Sequence, residues 1–215
     1  MTFDETYDVV VVGYGFAGGA AAIEAADQGA SVLLIEKMPD PGGISICAGG
    51  GVRLAKDADD AFAYLNATNA GRTDEDVLRT FADEVTNLEG YLRDLASIND
   101  AKVVVRDRPG NYPFPGLDTW GFFEVAEIPG FDPLEEYPHV RGRLGGPLVF
   151  KVVDDNVRKR AIDVRMNCPA VRLIKGDDGG LTGLTVEQDG ERRNIKARRG
   201  VILASGGFEA DPRMQ

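Results

Sequence analysis

The hydrophobic pattern of the first 36 residues predicts two strands with a helix between them. Tyr7–Val12 contains four consecutive valines, and Ser31–Ile35 is also apolar, so both are predicted to be buried strands. The Ala-rich run Ala17–Gln28 predicts a helix, with Gly29 at the position where helices commonly end. A strand, helix and strand in this order form a βαβ unit with parallel strands.

The middle of the chain predicts two helices and then a segment without clear periodicity. The helices are expected over residues 57–70 and 73–95, and a short strand over 101–105. Residues 106–146 are rich in proline, glycine and aromatic side chains, and we predict an irregular insertion there. It is either a functional loop or lid, or a surface loop whose aromatic side chains pack into the core.

The last third of the chain predicts a helix over residues 147–159 and strands over 161–166 and 171–174. Turns at Asp177–Gly180 and Asp189-Gly190 flank alternating segments, so an antiparallel β-meander is expected over residues 171–197. Val201–Ala204 predicts one more strand. The expected fold class is therefore α/β, with a mainly parallel sheet, helices on both faces and a small antiparallel β-meander.

Composition and charge exclude several classes of function. The net charge of −11 argues against nucleic acid and anionic membranes as partners. Met1–Asp8 has no basic stretch, and Val9–Val12 is too short for a signal peptide or a membrane span. Cys47, Cys168 and the single His139 form no metal-ligand spacing or disulfide framework. We therefore expect a cytoplasmic protein without a metal site.

A glycine-rich turn, Gly13-Tyr14-Gly15-Phe16-Ala17-Gly18, joins the first strand to the first helix. Gly13 permits the tight turn, Gly15 lets the backbone approach a pyrophosphate, and Gly18 lets the helix pack closely on the strand. The helix then directs its N-terminal amides at the phosphates. Glu36 ends the second strand, where a carboxylate can accept hydrogen bonds from ribose hydroxyls. This pattern predicts a dinucleotide site; the alternative is a glycine-rich turn without ligand.

A second glycine-rich segment, Gly42–Gly51, follows where an ordinary NAD-binding unit would continue into a helix and strand. Its dense glycines suggest backbone that lies against a flat ring and offers amide donors to the ring edge. The alternative is a flexible loop.

Three segments resemble the fumarate reductase/succinate dehydrogenase flavoprotein superfamily, which includes soluble fumarate reductases and 3-ketosteroid dehydrogenases. They are Val9–Lys37, Gly42–Gly51 with its Gly42-Gly43-x-Ser45 start, and the Ala204–Glu209 stretch Ala-Ser-Gly-Gly-Phe-Glu. Ile44 stands where members of the family carry a polar residue. The resemblance implies a Rossmann-like FAD-binding domain, and it is weak through residues 106–146.

The resemblance also implies a set of cofactor-binding residues, each with a role in holding FAD. The pyrophosphate is expected at Gly13, Gly15, Phe16, Ala17 and Gly18, the ribose at Glu36 with Lys37 beside it, the flavin at Gly43, Ser45, Gly49, Gly50 and Gly51, adenine at the backbone of Ala170 and Val171, and the rest of ADP at Ala204, Ser205 and Gly206.

Relatives that tether the flavin covalently use a histidine in the second motif. Residues 42–51 contain no histidine, so noncovalent FAD is expected. The resemblance does not assign a catalytic acid or base. The side chains that remain as candidates for proton transfer or substrate binding lie in the insertion: Tyr112, Tyr137, His139, Arg141 and Arg143. The alternative for each of them is a structural or surface role.

Members of the family normally continue beyond the Gly-Gly-Phe motif into a cap domain, whereas the last residue of this chain is Gln215. We therefore expect residues 1–215 to form a single, incomplete FAD-binding domain that lacks the cap domain and the C-terminal part. The resemblance implies an FAD-dependent oxidoreductase that transfers hydride between flavin N5 and a C–C bond next to a carbonyl or carboxylate. Its substrate would be a carboxylate or ketosteroid-like small molecule.

Two other functions stay open at this point. One is a truncated FAD-binding module, or one chain of a split enzyme that needs a second chain for the missing half. The other is an NAD-dependent dehydrogenase.

Overall fold

The computed structural model describes residues 2–140, 145–208 and 211–214. The chain divides into two compact units. The first comprises the described parts of 1–48, 137–142 and 153–215, and the second comprises those of 49–136 and 143–152. The single incomplete domain expected from the sequence stays a prediction.

The regular elements are numbered along the chain. The strands are β1 (Glu5–Val12), β2 (Val32–Ile35), β3 (Val52–Ala55), β4 (Lys102–Asp107), β5 (Trp120–Glu127), β6 (Ile162–Arg165), β7 (Ala170–Lys175), β8 (Leu181–Gln188) and β9 (Glu191–Leu203). The helices are α1 (Phe16–Asp27), α2 (Gly43–Ile46), α3 (Ala58–Asn69), α4 (Glu75–Ala96), α5 (Pro133–Glu136) and α6 (Gly145–Lys159).

A six-stranded sheet in the order β6-β2-β1-β9-β8-β7 forms the centre of the first unit. β1 is parallel to both β2 and β9, and β2 is parallel to β6. β8 runs antiparallel to β7 and β9, which gives the meander expected over residues 171–197. The α/β class with a mainly parallel sheet and a small antiparallel part is therefore confirmed.

The strand β9 is longer than the sequence predicts. The sequence predicts a meander that ends at residue 197 and a separate strand over 201–204, but residues 191–203 form one strand of 13 residues. Arg198, Arg199 and Gly200 interrupt the apolar pattern, which hides the continuity. The strand is nevertheless continuous because its two edges pair over overlapping ranges, with β8 from Glu191 to Lys196 and with β1 from Ile195 to Leu203.

The core of the first unit lies among the strands that carry the glycine-rich turn. Helix α1 contributes the fully buried side chains of Ala22 and Ile23. A separate buried cluster at the sheet consists of Val10, Leu33, Ile35, Cys168, Leu184, Val186, Ile195 and Ala197. Burying each large aliphatic side chain contributes about 1.5–3 kcal/mol, so this cluster holds β1 and β2 in place.

The second unit contains an antiparallel sheet in the order β3-β5-β4, together with α3 and α4. Its core cluster joins Ala61, Tyr64 and Val85 of the helices to Trp120 of β5. Strand β5 lies within residues 106–146, for which the sequence predicts an irregular insertion. The prediction missed this strand because β5 lies between β4, across a 12-residue connection, and β3, which is more than 60 residues away in the sequence.

The aromatic side chains of this stretch differ in their surroundings. Trp120 and Phe123 are only 3% and 1% exposed, whereas Tyr112 and Phe114 are 59% and 42% exposed. The first pair agrees with aromatic side chains that pack into a core. Among the helices of the described residues, none has the length and apolar character needed to cross a membrane.

Candidate cofactor site

The glycine-rich turn between β1 and α1 can accept no side chain at two of its three motif glycines. Gly13 has a φ of +103°, and a Cβ atom there would lie 2.5 Å from the carbonyl oxygen of Ala204. A Cβ atom on Gly18 would overlap the carbonyl oxygen of Gly13. These contacts match the roles predicted for the two residues, a tight turn and a close approach of helix to strand.

Gly15 faces more open space. A Cβ atom on this residue would lie 3.3 Å from Ser45 Oγ and 3.6 Å from the carbonyl oxygen of Gly42. Gly15 is also the N-cap of α1 and offers no side chain to the helix. The first-turn amides of α1, which begins with Phe16, Ala17 and Gly18, have no partner within the helix and carry its positive dipole end. This end is suited to bind a phosphate anion.

Ser45 supplies part of the missing helix cap. Its Oγ accepts a hydrogen bond from the backbone amide of Phe16 at 3.0 Å. The hydroxyl proton of Ser45 is left to donate elsewhere. The sequence predicts Ser45 and Gly43 on the flavin side, and the structure places the Ser45 hydroxyl at the pyrophosphate turn. Their contact with flavin stays a prediction.

Glu36 lies beside the same turn with both carboxylate oxygens oriented. It is 8% exposed, its Oε2 accepts from the amide of Tyr14 at 2.8 Å, and its Oε1 accepts from the amide of Met38 at 2.9 Å. A carboxylate has further lone pairs, which can accept hydrogen bonds from ribose hydroxyls. Lys37, the next residue, is exposed.

A cavity of about 140 Å³ opens next to Glu36. This is smaller than a typical pocket of about 300–1,000 Å³ for a whole ligand, so it would hold only part of a dinucleotide. Five residues predicted to bind the cofactor line it. The lining consists of Val12, Gly13, Ile35, Glu36, Lys37, Cys168, Pro169, Ala170 and Ser205.

The other lining residues were not predicted, although most directly precede a predicted residue in the sequence. Cys168 is the exception. Its backbone amide donates to the carbonyl oxygen of Glu36 at 2.8 Å, and this long-range contact, which places it beside Glu36, is not visible in the sequence. Burial raises the pKa of the Cys168 thiol, which keeps it uncharged at neutral pH.

Three further residues predicted for the ADP part, Val171, Ala204 and Gly206, are not among the residues that line this cavity. Ala204 follows β9, and its amide donates to the carbonyl oxygen of Val12 at 2.8 Å. Gly206 has a φ of +79° with open space around it. Val171 is 43% exposed and is not among the lining residues. Contacts of Val171, Ala204 and Gly206 with the cofactor stay predictions.

Gly49, Gly50 and Gly51, also predicted on the flavin side, belong to the second unit. Within it, Gly50 has a φ of +81° and packs so closely against Gly145 that a Cβ atom would overlap. A Cβ atom on Gly51 would lie 3.2 Å from the ring of Phe122. Gly50 and Gly51 therefore have structural reasons to be glycine within their own unit, whereas Gly49 has open space at its Cβ position. The contact of all three with flavin stays a prediction.

Two of the candidates for proton transfer have partners in the first unit. Tyr137 is 2% exposed and its hydroxyl donates to Asp154 at 3.1 Å, so it is a buried structural residue. His139 Nδ1 lies 3.8 Å from an Asp40 carboxylate oxygen. Tyr112 is exposed in the second unit. Arg141, Arg143 and Glu209 lie outside the described residues.

Sequence reasoning missed the role of Tyr14 within the turn. Its hydroxyl donates to the buried carboxylate of Asp154 at 2.7 Å. Burial raises the pKa of the Tyr14 hydroxyl far above its ordinary value, and the charge of Asp154 adds to this effect. The sequence contains no signal for the pair because 140 positions separate the two residues.

The fold and the site define a dinucleotide-binding domain of the α/β class. The family model of the FAD binding domain matches residues 8–215, and the chain belongs to this family. The resemblance inferred from the sequence is thereby confirmed, and the cofactor is FAD.

Two relatives show how far the similarity extends. Fumarate reductase (cytochrome) of Shewanella frigidimarina is 33% identical over 208 residues, covering 95% of this chain and 34% of that protein. The 3-oxosteroid 1-dehydrogenase of Comamonas testosteroni is 24% identical over 277 residues, covering 99% of this chain and 48% of that protein. The chain therefore spans a third to a half of their length.

A solved structure supports the fold. The 3-ketosteroid-Δ4-(5α)-dehydrogenase from Rhodococcus jostii RHA1, in complex with 4-androstene-3,17-dione, superimposes with a TM-score of 0.79 at 23% identity. The similarity covers all of this chain and 48% of the other. The shared fold agrees with the topology described above.

The described residues fit FAD at its adenosine and pyrophosphate part. Gly13 and Gly18 form a cradle that a Cβ atom would fill, and Glu36 presents an oriented carboxylate to the adjoining cavity. Within the described part of the chain, no group of three or more His, Cys, Asp or Glu side chains is arranged to hold a metal ion.

Proposed function

We propose that this chain binds FAD noncovalently and forms the cofactor-binding part of an oxidoreductase acting on a carbon–carbon bond next to a carbonyl or carboxylate. The observation that carries the proposal is the geometry around Glu36. Its carboxylate is bonded to the amide of Tyr14 in the glycine-rich turn and lines the cavity beside Gly13. Family membership supports FAD and the oxidoreductase class, and the type of bond attacked is our inference.

The residues of the first unit would bind FAD from its adenosine end. The turn of Gly13, Gly15 and Gly18 would hold the pyrophosphate against the N-terminus of α1. Glu36 would accept hydrogen bonds from the ribose hydroxyls, with the exposed ammonium group of Lys37 nearby. The remaining cavity wall, which includes Ala170 and Ser205, would surround the adenine side.

The bound flavin would supply the redox chemistry, accepting or donating hydride at N5. The residues of the first unit bind and orient that cofactor, and the described residues assign no proton donor. The relatives' names, which include a fumarate reductase and a 3-oxosteroid dehydrogenase, support a proposal of substrate class. For this chain we propose a carboxylate or ketosteroid-like small molecule.

A second candidate is an FAD-binding module that performs no turnover without further polypeptide, supplied by a second chain. The observation that favours it is that the chain corresponds to only 34–48% of the two relatives' length.

Localisation in the cytoplasm is part of the proposal, on the ground that Cys47 and Cys168 are both free thiols.

The first experiment is a titration of the purified chain with FAD. The proposal predicts saturable binding seen in the visible flavin absorbance, with all flavin released by heat denaturation because no covalent bond is formed. Absence of any FAD uptake would contradict the proposal.

The second experiment separates the two candidates. Two activities of the chain alone would support the enzyme. One is the reduction of a dye with a 3-oxosteroid as the electron donor, and the other is the oxidation of a reduced dye with fumarate as the electron acceptor. FAD binding without turnover, with turnover restored by adding the C-terminal half of a relative, would support the module.

A further inference from the structure

Tyr14, the second residue of the glycine-rich turn, is tied to three different segments through its three polar groups. Its amide donates to Glu36 Oε2 at 2.8 Å, and its carbonyl oxygen accepts from the amide of Gly42 at 2.7 Å. Its hydroxyl donates to Asp154 Oδ1 at 2.7 Å. Tyr14 therefore connects the carboxylate of Glu36, the start of the second glycine-rich segment and helix α6.

Asp154 is the buried end of this network. It is 1% exposed on α6, accepts a second hydrogen bond from the hydroxyl of Tyr137 at 3.1 Å, and pairs with Arg158 at 2.7 Å. A buried carboxylate is costly unless it is paired and hydrogen bonded, and here both oxygens have partners. The carboxylate is therefore held firmly on the helix that carries it.

Helix α6 also touches the start of α1 directly. A Cβ atom on Gly19, one residue after the motif, would overlap the side chain of Val153. Val153 and Asp154 are adjacent, so α6 contacts the turn and its helix by close packing and by a hydrogen bond to a charged group. Hydrogen bonds to charged groups are stronger than those between neutral groups.

We propose that Asp154 is a positioning residue for the cofactor, which fixes the pyrophosphate turn through Tyr14 and, through the amide of the same tyrosine, the orientation of Glu36. The inference rests on the proposed FAD site. An anchored turn presents its amides in the bound geometry before FAD arrives, so less conformational entropy is lost on binding. Removing the anchor leaves the fold in place and weakens the cofactor's affinity.

Tyr137 provides a matched control for Tyr14. Tyr14→Phe and Tyr137→Phe each delete one buried hydroxyl that donates to the same carboxylate. Only Tyr14 belongs to the turn. A role confined to stability predicts similar effects of the two variants, whereas a positioning role predicts a difference in FAD affinity alone.

The test measures FAD dissociation constants by flavin fluorescence titration, and the thermal unfolding midpoints of the apo-proteins. Tyr14→Phe is expected to weaken FAD about 5- to 20-fold, and Tyr137→Phe less than about 2-fold, with similar falls in the unfolding midpoint. The ³¹P NMR resonances of the bound pyrophosphate are expected to shift in Tyr14→Phe and to stay in place in Tyr137→Phe.

A second pair of variants covers the case in which Tyr14→Phe fails to fold. Asp154→Asn keeps an oxygen that can accept from Tyr14 and should retain FAD affinity within about 3-fold, whereas Asp154→Leu should lose as much as Tyr14→Phe. Equal affinities of Tyr14→Phe and the wild type, or equal losses in each matched pair, would overturn the positioning role. A wild-type chain that takes up no FAD would instead refute the proposed function.

Discussion

The two glycine-rich segments, Gly13–Gly18 and Gly42–Gly51, use their glycines for different reasons. In the first, the contacts of Gly13 and Gly18 are made within one strand–turn–helix and the adjoining end of β9. In the second, Gly42 has a φ of +111° and packs under Ile46, while Gly50 packs against Gly145. Both segments have a partner far away in the sequence, Ala204 for Gly13 and Gly145 for Gly50. They differ in that the first segment joins β1 to α1 beside Glu36, whereas the second passes from the first unit into the second.

This difference bears on function. The first segment presents helix amides and adjoins Glu36, and it is the segment that we propose binds the pyrophosphate of the cofactor. The start of the second segment supports the first, since Gly42 donates to Tyr14 and Ser45 accepts from Phe16. We therefore expect substitutions in the first segment to act on FAD affinity and those in the second to act more on stability.

The largest effect is expected from Gly18→Ala. The new methyl group would overlap the carbonyl oxygen of Gly13 and force α1 away from β1, so FAD affinity should fall on the order of 100-fold. Gly90→Ala is the matched control, because Gly90 is also helical but has nothing within 4 Å of its ideal Cβ position. It should bind FAD like the wild type and be slightly more stable. Isothermal titration of both variants with FAD measures the two affinities. Equal affinities would contradict the need for glycine at position 18.

A smaller effect is expected from Gly50→Ala in the second segment. Its positive φ and its contact with Gly145 should make the variant about 2–3 kcal/mol less stable. This corresponds to a fall in the thermal midpoint of about 4–12 °C, measured by circular dichroism. Gly49→Ala, with open space at its Cβ position, should change the midpoint by less than about 2 °C. If Gly49→Ala were the more damaging substitution, the contact with Gly145 would not be what requires glycine.

Ser45→Ala tests the link between the segments. The variant leaves the Phe16 amide without its acceptor and should lower stability by about 1 kcal/mol and FAD affinity by about 3- to 10-fold. Ser45→Thr keeps the oxygen and should restore most of both. Loss of affinity without recovery in the threonine variant would mean that the hydroxyl is not the relevant group.

The smallest effect concerns the strand that leads into the first segment. The hydrogen bond from the Arg165 guanidinium lowers the pKa of Glu5 below its ordinary value of 4.5. A carboxyl group with a lowered folded-state pKa stabilises the fold above its unfolded pKa, and this contribution is lost as the pH falls through the folded pKa. Urea unfolding between pH 6 and 3 should therefore show a shallower loss of stability in Glu5→Gln than in the wild type. Parallel curves for the two proteins would contradict the assigned role of Arg165.

The parts of the fold that the sequence predicts well are those decided by neighbouring residues. The run Tyr7–Ile35 predicts β1, α1 and β2 within two residues at each end, because periodicity and glycine placement are local signals. Glu36 is identified for the same reason, by its place at the end of β2. Long-range pairing accounts for the errors, since β5 and the continuous β9 depend on partner strands that their own residues do not reveal.

The candidate site divides in the same way. Gly13, Glu36, Lys37, Ala170 and Ser205 are predicted from the sequence and line one cavity. Asp154 is not, because an aspartate on an amphipathic helix shows no sign that it will be buried beneath a tyrosine from the first turn. A side chain that contacts a binding turn only through another residue belongs to no sequence motif of its own.

The central claim is that Glu36 and the first glycine-rich segment hold the adenosine half of FAD. Its most direct test is calorimetric titration of wild type, Glu36→Gln and Lys37→Gln with FAD, with ADP as competitor. We predict that ADP displaces FAD from the wild type, that Glu36→Gln weakens FAD about 10- to 100-fold, and that Lys37→Gln weakens it less than about 3-fold. FAD binding that is unchanged in Glu36→Gln and insensitive to ADP would contradict the claim.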